Sequence, residues 1–73
     1  MNPQTVEVTV KAYLTEMRAR LEKAASIAKA AEACALSGSI EKSIEVALDI
    51  EEIVYEVNTF LNAASMINWL GKT

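Results

Sequence analysis

Apolar residues recur at alternating steps of four and three along most of the chain. The stripe before Gly38 contains Val6, Val10, Leu14, Met17, Leu21, Ala24, Ala28, Ala31 and Ala35. The stripe after it contains Val46, Ile50, Ile53, Val57, Phe60, Ala64 and Ile67. This is the spacing of a coiled-coil seam, and it predicts two long amphipathic helices.

The residues that begin and end these stripes are helix-end signals. Asn2 and Pro3 suit the N-cap and the first helical position. Gly38 suits the left-handed position just past a helix, and Ser39 suits the next N-cap. We therefore predict helices over about 3–36 and 40–70, with Gly71 and Lys72 ending the second and a tight turn at Ser37-Gly38-Ser39.

The stretch TVEVTV near the N-terminus alternates as a β-strand would. A lone strand would lack a partner, because no second β-rich run exists in the sequence. Helix is therefore the favoured prediction for residues 4–10, with an extended conformation as the open alternative.

Two helices of similar length joined by a tight turn predict an all-α fold, an antiparallel hairpin forming a single domain over residues 1–73. The second helix also has an apolar band of roughly 160°, because Ala47, Val54 and Leu61 flank its seam. One neighbouring helix cannot cover so wide a band. We expect a four-helix bundle, completed by dimerisation or by a partner's helices, with these three residues at the interface.

Two aromatic residues add to the expected interaction surface. Tyr55, Asn62 and Trp69 are spaced by seven, so they share a helix face turned away from the seam. A surface tryptophan often anchors a partner. The alternative is that Trp69 packs over the end of the domain, and the sequence leaves both open.

Charge is unevenly distributed along the chain. Residues 1–38 carry five basic and four acidic side chains, whereas residues 39–73 carry two basic and six acidic ones. An acidic stripe on the second helix consists of Glu41, Glu45, Asp49, Glu52 and Glu56. It is either a solvated surface or an electrostatic docking site for a basic partner.

Several kinds of chemistry are not expected from this composition. The sequence has no histidine and one cysteine, Cys34, so it offers neither a thiol–base pair nor a zinc ligand set. We predict no catalytic residue, cofactor or metal. Nucleic acid is not an expected partner either, because an acidic chain binds a phosphate backbone poorly. Without a signal peptide or an apolar run of about 20 residues, we expect a cytoplasmic protein without a membrane span.

The central stretch AAEACALSGSIEKSIEVAL resembles the helix–turn–helix of a tetratricopeptide unit, with Ala31, Gly38 and Ser43 at fitting offsets. The bulky positions of that unit are here occupied by Ala30, Cys34 and Ala47. A solenoid needs about three units and this chain has one, so we do not assign it to that family. In size and shape the predicted hairpin is similar to the small hairpin co-chaperones of bacterial secretion systems, which implies a masking role.

Together these features predict a non-enzymatic helical protein-interaction module. The first hypothesis is a chaperone or adaptor that masks a partner's amphipathic helix, as a homodimer or a hetero-complex. The alternative is an acidic regulatory protein that blocks a basic surface of its target.

Overall fold

The computed structural model describes residues 2–72, which form two α-helices that pack against each other. Helix α1 spans Pro3–Leu36 and helix α2 spans Ile40–Lys72, and the described residues contain no strand. The all-α prediction is confirmed. Met1 and Thr73, which the single-domain prediction over 1–73 includes, lie outside the described residues.

Helix α1 begins as its first residues predict. The backbone of Asn2 is extended, and its side-chain Oδ1 accepts a hydrogen bond of 2.8 Å from the Gln4 N–H. Pro3 occupies the first turn, where its missing N–H has no partner to lose. Residues 4–10 are helical, so the extended alternative is wrong.

The connection between the helices is closed by hydrogen bonds of the Schellman type. The Ser39 N–H donates to the Cys34 carbonyl at 2.9 Å, and the Gly38 N–H donates to the Ala35 carbonyl at 3.0 Å. Gly38 has φ of 94°, the left-handed conformation that glycine adopts without a Cβ penalty. The Ser39 carbonyl then accepts the Ser43 N–H at 2.9 Å and starts helix α2.

The two helices run antiparallel along their whole length. The rings of Tyr13 and Phe60 lie 5.7 Å apart between centroids, and Arg20 pairs with Glu56 nearer the turn. The Cα trace measures 54 × 14 × 10 Å. The molecule is therefore a ribbon that is two helices wide and one helix thick.

The seam of helix α2 contains the residues that the sequence pattern predicts, whereas that of helix α1 is rotated. Leu14 and Leu21 are 50% and 51% exposed, and Ala28 is also exposed. The more buried positions of α1 are Val6, Thr9, Val10, Tyr13, Met17, Arg20, Ala24, Ile27, Ala31, Cys34 and Ala35. Placing Leu14, Leu21 and Ala28 in the seam was wrong, because Tyr13, Arg20 and Ile27 continue the same four–three spacing one position earlier.

Helix α2 continues two residues beyond its predicted end, and Gly71 and Lys72 are helical. The reason for a glycine here is close approach. A Cβ built on Gly71 would lie 2.9 Å from Val6 Cγ2, closer than real Cβ contacts allow. Gly71 therefore lets the last turn of α2 pack directly against the first turns of α1.

Burial along the seam is shallow. The buried apolar residues of the described chain are Ala31, Ile53 and Ala64, and none of its large side chains is fully buried. A folded monomer of 7.9 kDa is expected to expose about 4,400 Å², whereas this chain exposes 5417 Å². The isolated ribbon thus leaves roughly a fifth more surface in water than a typical monomer of its mass.

The contact between Gly71 and Val6 predicts a coupled effect of two substitutions. Gly71→Ala introduces a methyl group against the stiff, β-branched Val6, and overpacking of this kind lowers the free energy of unfolding by about 1 kcal/mol. In a Val6→Ala background the same change should be neutral or stabilising, because alanine has the higher helix propensity. Urea unfolding of the four proteins, at one protein concentration, measures the coupling. Equal effects of Gly71→Ala in both backgrounds would contradict the close approach.

Candidate protein-interaction surfaces

The two faces of the ribbon differ in polarity. Two antiparallel helices are related by a local two-fold axis normal to their common plane, so equivalent positions on the two helices lie on the same face. One face carries a groove lined by Lys23, Ile27, Asp49, Glu52, Ile53 and Glu56. We call this side the polar face, since cations of α1 and carboxylates of α2 meet there.

Arg20 is the centre of the polar face. Its guanidinium lies over the Phe60 ring, with Cζ 4.6 Å from the ring centroid. Nη1 donates to the Glu16 carboxylate one turn earlier on α1, and Nε lies 3.4 Å from Glu56 Oε1 on α2. The Nε distance is that of an ion pair without a well-formed hydrogen bond. Arg20 therefore joins the helices through its stem, its planar face and its charge.

The carboxylates around Arg20 stabilise its charged form. The hydrogen bond with Glu16 raises the pKa of Arg20 above its usual value, and partial desolvation acts against it. The charges of Glu16 and Glu56 act in the same direction as the hydrogen bond. The Arg20 side chain is 28% exposed, less than half of the 67% of Arg18, whose ion pair with Glu22 lies in solvent.

The acidic stripe is divided between this face and solvent. Glu56 is half-buried against Arg20, and Asp49 and Glu52 line the same groove as Lys23. Glu45 Oε2 lies 3.6 Å from Lys42 Nζ in an exposed ion pair within α2. The cations nearest to the stripe thus belong to this chain, and they offset part of the charge that the stripe would offer to a basic partner.

The opposite side of the ribbon, the apolar face, consists of Leu14, Leu21 and Ala28 of α1 together with Ala47, Val54 and Leu61 of α2. Each of these residues occupies the position directly after a seam residue, on the flank away from Lys23 and Glu56. The register set by Tyr13–Phe60 and Arg20–Glu56 makes Leu14 level with Leu61, Leu21 with Val54, and Ala28 with Ala47. The four large side chains are 45–51% exposed, so the face is half-covered by the seam and half in water.

The interface residues predicted from the sequence are therefore not all together. Ala47, Val54 and Leu61 lie on the apolar face, together with Leu14 and Leu21, which the sequence pattern places in the seam. Tyr55 and Trp69 lie on the outer side of α2, 73% and 61% exposed, roughly 21 Å apart along the helix. Trp69 shares a shallow groove with Asn62, Ser65 and Met66, and a second apolar groove is lined by Ile44, Ala47, Leu48, Ile50, Glu51 and Val54.

Within residues 2–72, the carboxylate and thiol groups form no cluster of three or more that could hold a metal ion. Cys34 is half-buried beside the turn as a free thiol. Neither α1 nor α2, over its described residues, contains a stretch long and apolar enough to cross a membrane. The surface features that remain are the apolar face, the polar face and the outer side of α2.

Comparisons with known proteins add no assignment. No protein-family model matches the sequence, and neither a curated protein nor a solved structure shows significant similarity to the chain.

The contacts of Arg20 with both helices predict that its removal lowers the thermal stability more than removal of an exposed arginine does. Arg20→Ala should lower the Tm by several degrees, because contacts with Phe60 and Glu56 are lost and both helices are affected. Arg18→Ala, the matched control, should lower it by no more than about 1–2 °C, since an exposed pair along one helix contributes little. Thermal unfolding followed by circular dichroism, at one protein concentration, compares the two. Equal shifts would show that Arg20 does not join the helices.

Proposed function

We propose that this protein is a non-enzymatic helical interaction module, a chaperone or adaptor that masks the amphipathic helix of a partner protein. The observation that carries the proposal is the exposure of large apolar side chains on both helices. Val8 and Ile44 are 62% and 58% exposed, in addition to the leucines of the apolar face. Exposed apolar surface on this scale is typical of a site that another protein covers.

The shape of the apolar face favours a helix as its ligand. The face is long and narrow, and its large side chains repeat every seven residues along each helix. An amphipathic helix that presents its own apolar stripe can lie along such a face, so that side chains interdigitate as in other helix-in-groove complexes. Such a complex would remove apolar surface of both molecules from water, and this burial would favour binding.

The second candidate function is that of an acidic regulator that blocks a basic surface. Its support is the exposure of Glu41, Glu45, Asp49 and Glu52 on one side of α2. The argument against it is the pairing within the chain, because Lys42, Lys23 and Arg20 form ion pairs or share a groove with four of the five acidic-stripe residues. We therefore place the masking of an apolar helix first.

Two peptides of identical composition separate these candidates. One is a designed basic helix with leucines at steps of three and four, and the other has the same residues in an order that destroys the stripe. Masking predicts that the amphipathic peptide binds at least about tenfold more tightly, because only it presents a continuous apolar surface. Charge blocking predicts equal affinities, and both affinities should then fall steeply with salt. Fluorescence anisotropy of the labelled peptides measures the affinities.

The matched variants for this experiment are Leu61→Glu on the apolar face and Glu45→Gln on the acidic stripe. Under masking, Leu61→Glu should abolish the preference for the amphipathic peptide and Glu45→Gln should leave it. Failure of both peptides to bind, at concentrations up to the millimolar range, would overturn both candidate functions.

A further inference from the structure

We infer that the apolar face is covered by a second copy of this chain, stacked face to face with its turn at the opposite end, in a four-helix homodimer. This inference rests on the proposed function, because it names the occupant of the same helix-binding surface in the free protein. It is carried by the order of large and small side chains along the face, by its charges and by its area.

The side chains of the apolar face fall into three successive levels. Leu14 and Leu61 form the level nearest the chain ends, Leu21 and Val54 form the middle level, and Ala28 with Ala47 forms the level nearest the turn. Consecutive levels are seven residues apart, roughly 10 Å along the helices. Over these three levels the six side chains are thus large at one end and small at the other, with an intermediate level at the centre.

A two-fold axis through the middle level makes this surface self-complementary. It places the leucine level of one copy against the alanine level of the other, at both ends of the interface. Alternating large and small side chains across facing positions fills the space between helices without voids or clashes. Stacking the copies turn against turn would instead place four leucines in one level and four alanines in another, leaving a gap over the alanines.

The charges beside the apolar face fit the same arrangement. Lys11 and Glu32, on the outer flank of the face on α1, lie at nearly equal distances on either side of Leu21. The two-fold axis therefore brings Lys11 of each copy level with Glu32 of the other. On α2, the same operation places Glu51 opposite Asn58, so Lys11, Glu32 and Glu51 each face no like charge. In the single chain Lys11 pairs with the exposed Glu7, one turn earlier.

The area of the face is sufficient for a stable dimer. The ribbon is 54 Å long, and two helices side by side are about 20 Å wide, which gives a face on the order of 1,000 Å². Stable interfaces bury about 800 Å² on each partner. The axis lies within about two residues of the middle of both helices, so the copies overlap along nearly their whole length.

The test is sedimentation velocity over a range of protein concentrations, with Leu21→Glu and a matched control. Leu21 lies beside the axis, so the substitution would bring two carboxylates together in the middle of the interface. Leu48→Glu makes the same change at a leucine of similar exposure, 54% against 51%, on the outer side of α2. We expect a dimer for the unsubstituted chain and for Leu48→Glu, and a dissociation constant raised at least about 100-fold for Leu21→Glu.

Cross-linking tests the arrangement even if Leu21→Glu fails to fold. In a Cys34→Ala background, Leu21→Cys should form an interchain disulfide with oxidised glutathione at least about tenfold faster than Leu48→Cys. Equal rates, or a dimer that Leu21→Glu leaves intact, would overturn the inference. A helical monomer at every concentration would also overturn it, while peptide binding by that monomer would leave the proposed function in place. A dimer of the inferred kind that binds neither peptide would support this inference and overturn the proposed function.

Discussion

A pair of helices can bury only the side chains that lie between them, and this limit governs every other feature of the molecule. The seam of this ribbon is long, but alanine, serine and glycine occupy many of its positions, so the area removed from water is small. Conformational entropy opposes the ordering of each of these residues. Specific cross-helix contacts therefore matter for holding two such helices together, and we propose that a second molecule supplies the rest by covering the exposed surface.

The polar face carries cross-helix contacts within the chain, and the apolar face is the surface that we propose a second molecule covers. On the polar face, Arg20 fastens α1 to α2 within the chain by its contacts with Phe60 and Glu56. On the apolar face, Leu21 follows Arg20 directly in sequence and points to the other side of the ribbon, where α2 covers only half of it. Two neighbouring residues thus lie on opposite faces of the ribbon, one in contact with α2 and one half in water, because consecutive positions on a helix are about 100° apart.

Much of the fold could be predicted from the sequence because local signals determine it. The Asn2 cap, the Gly38 turn and the apolar stripe of α2 depend on nearby residues alone. The seam of α1 could not be predicted in the same way, because two stripes one position apart share Val10, Met17 and the later alanines. The hydropathy of Leu14 and Leu21 favours one stripe. Tyr13 and Arg20 occupy the seam because they contact Phe60 and Glu56, which are distant in sequence. Ile27, larger than Ala28, was the one local signal for the correct choice.

We propose that association stabilises this ribbon, and the dependence of its Tm on protein concentration tests that proposal most directly. Because association stabilises the folded state by mass action, the Tm measured by circular dichroism should rise by several degrees as concentration increases 100-fold. The helical signal and the dimer mass should be lost together on dilution with heating. A single cooperative transition at the monomer mass, with the same Tm at every concentration, would contradict the account.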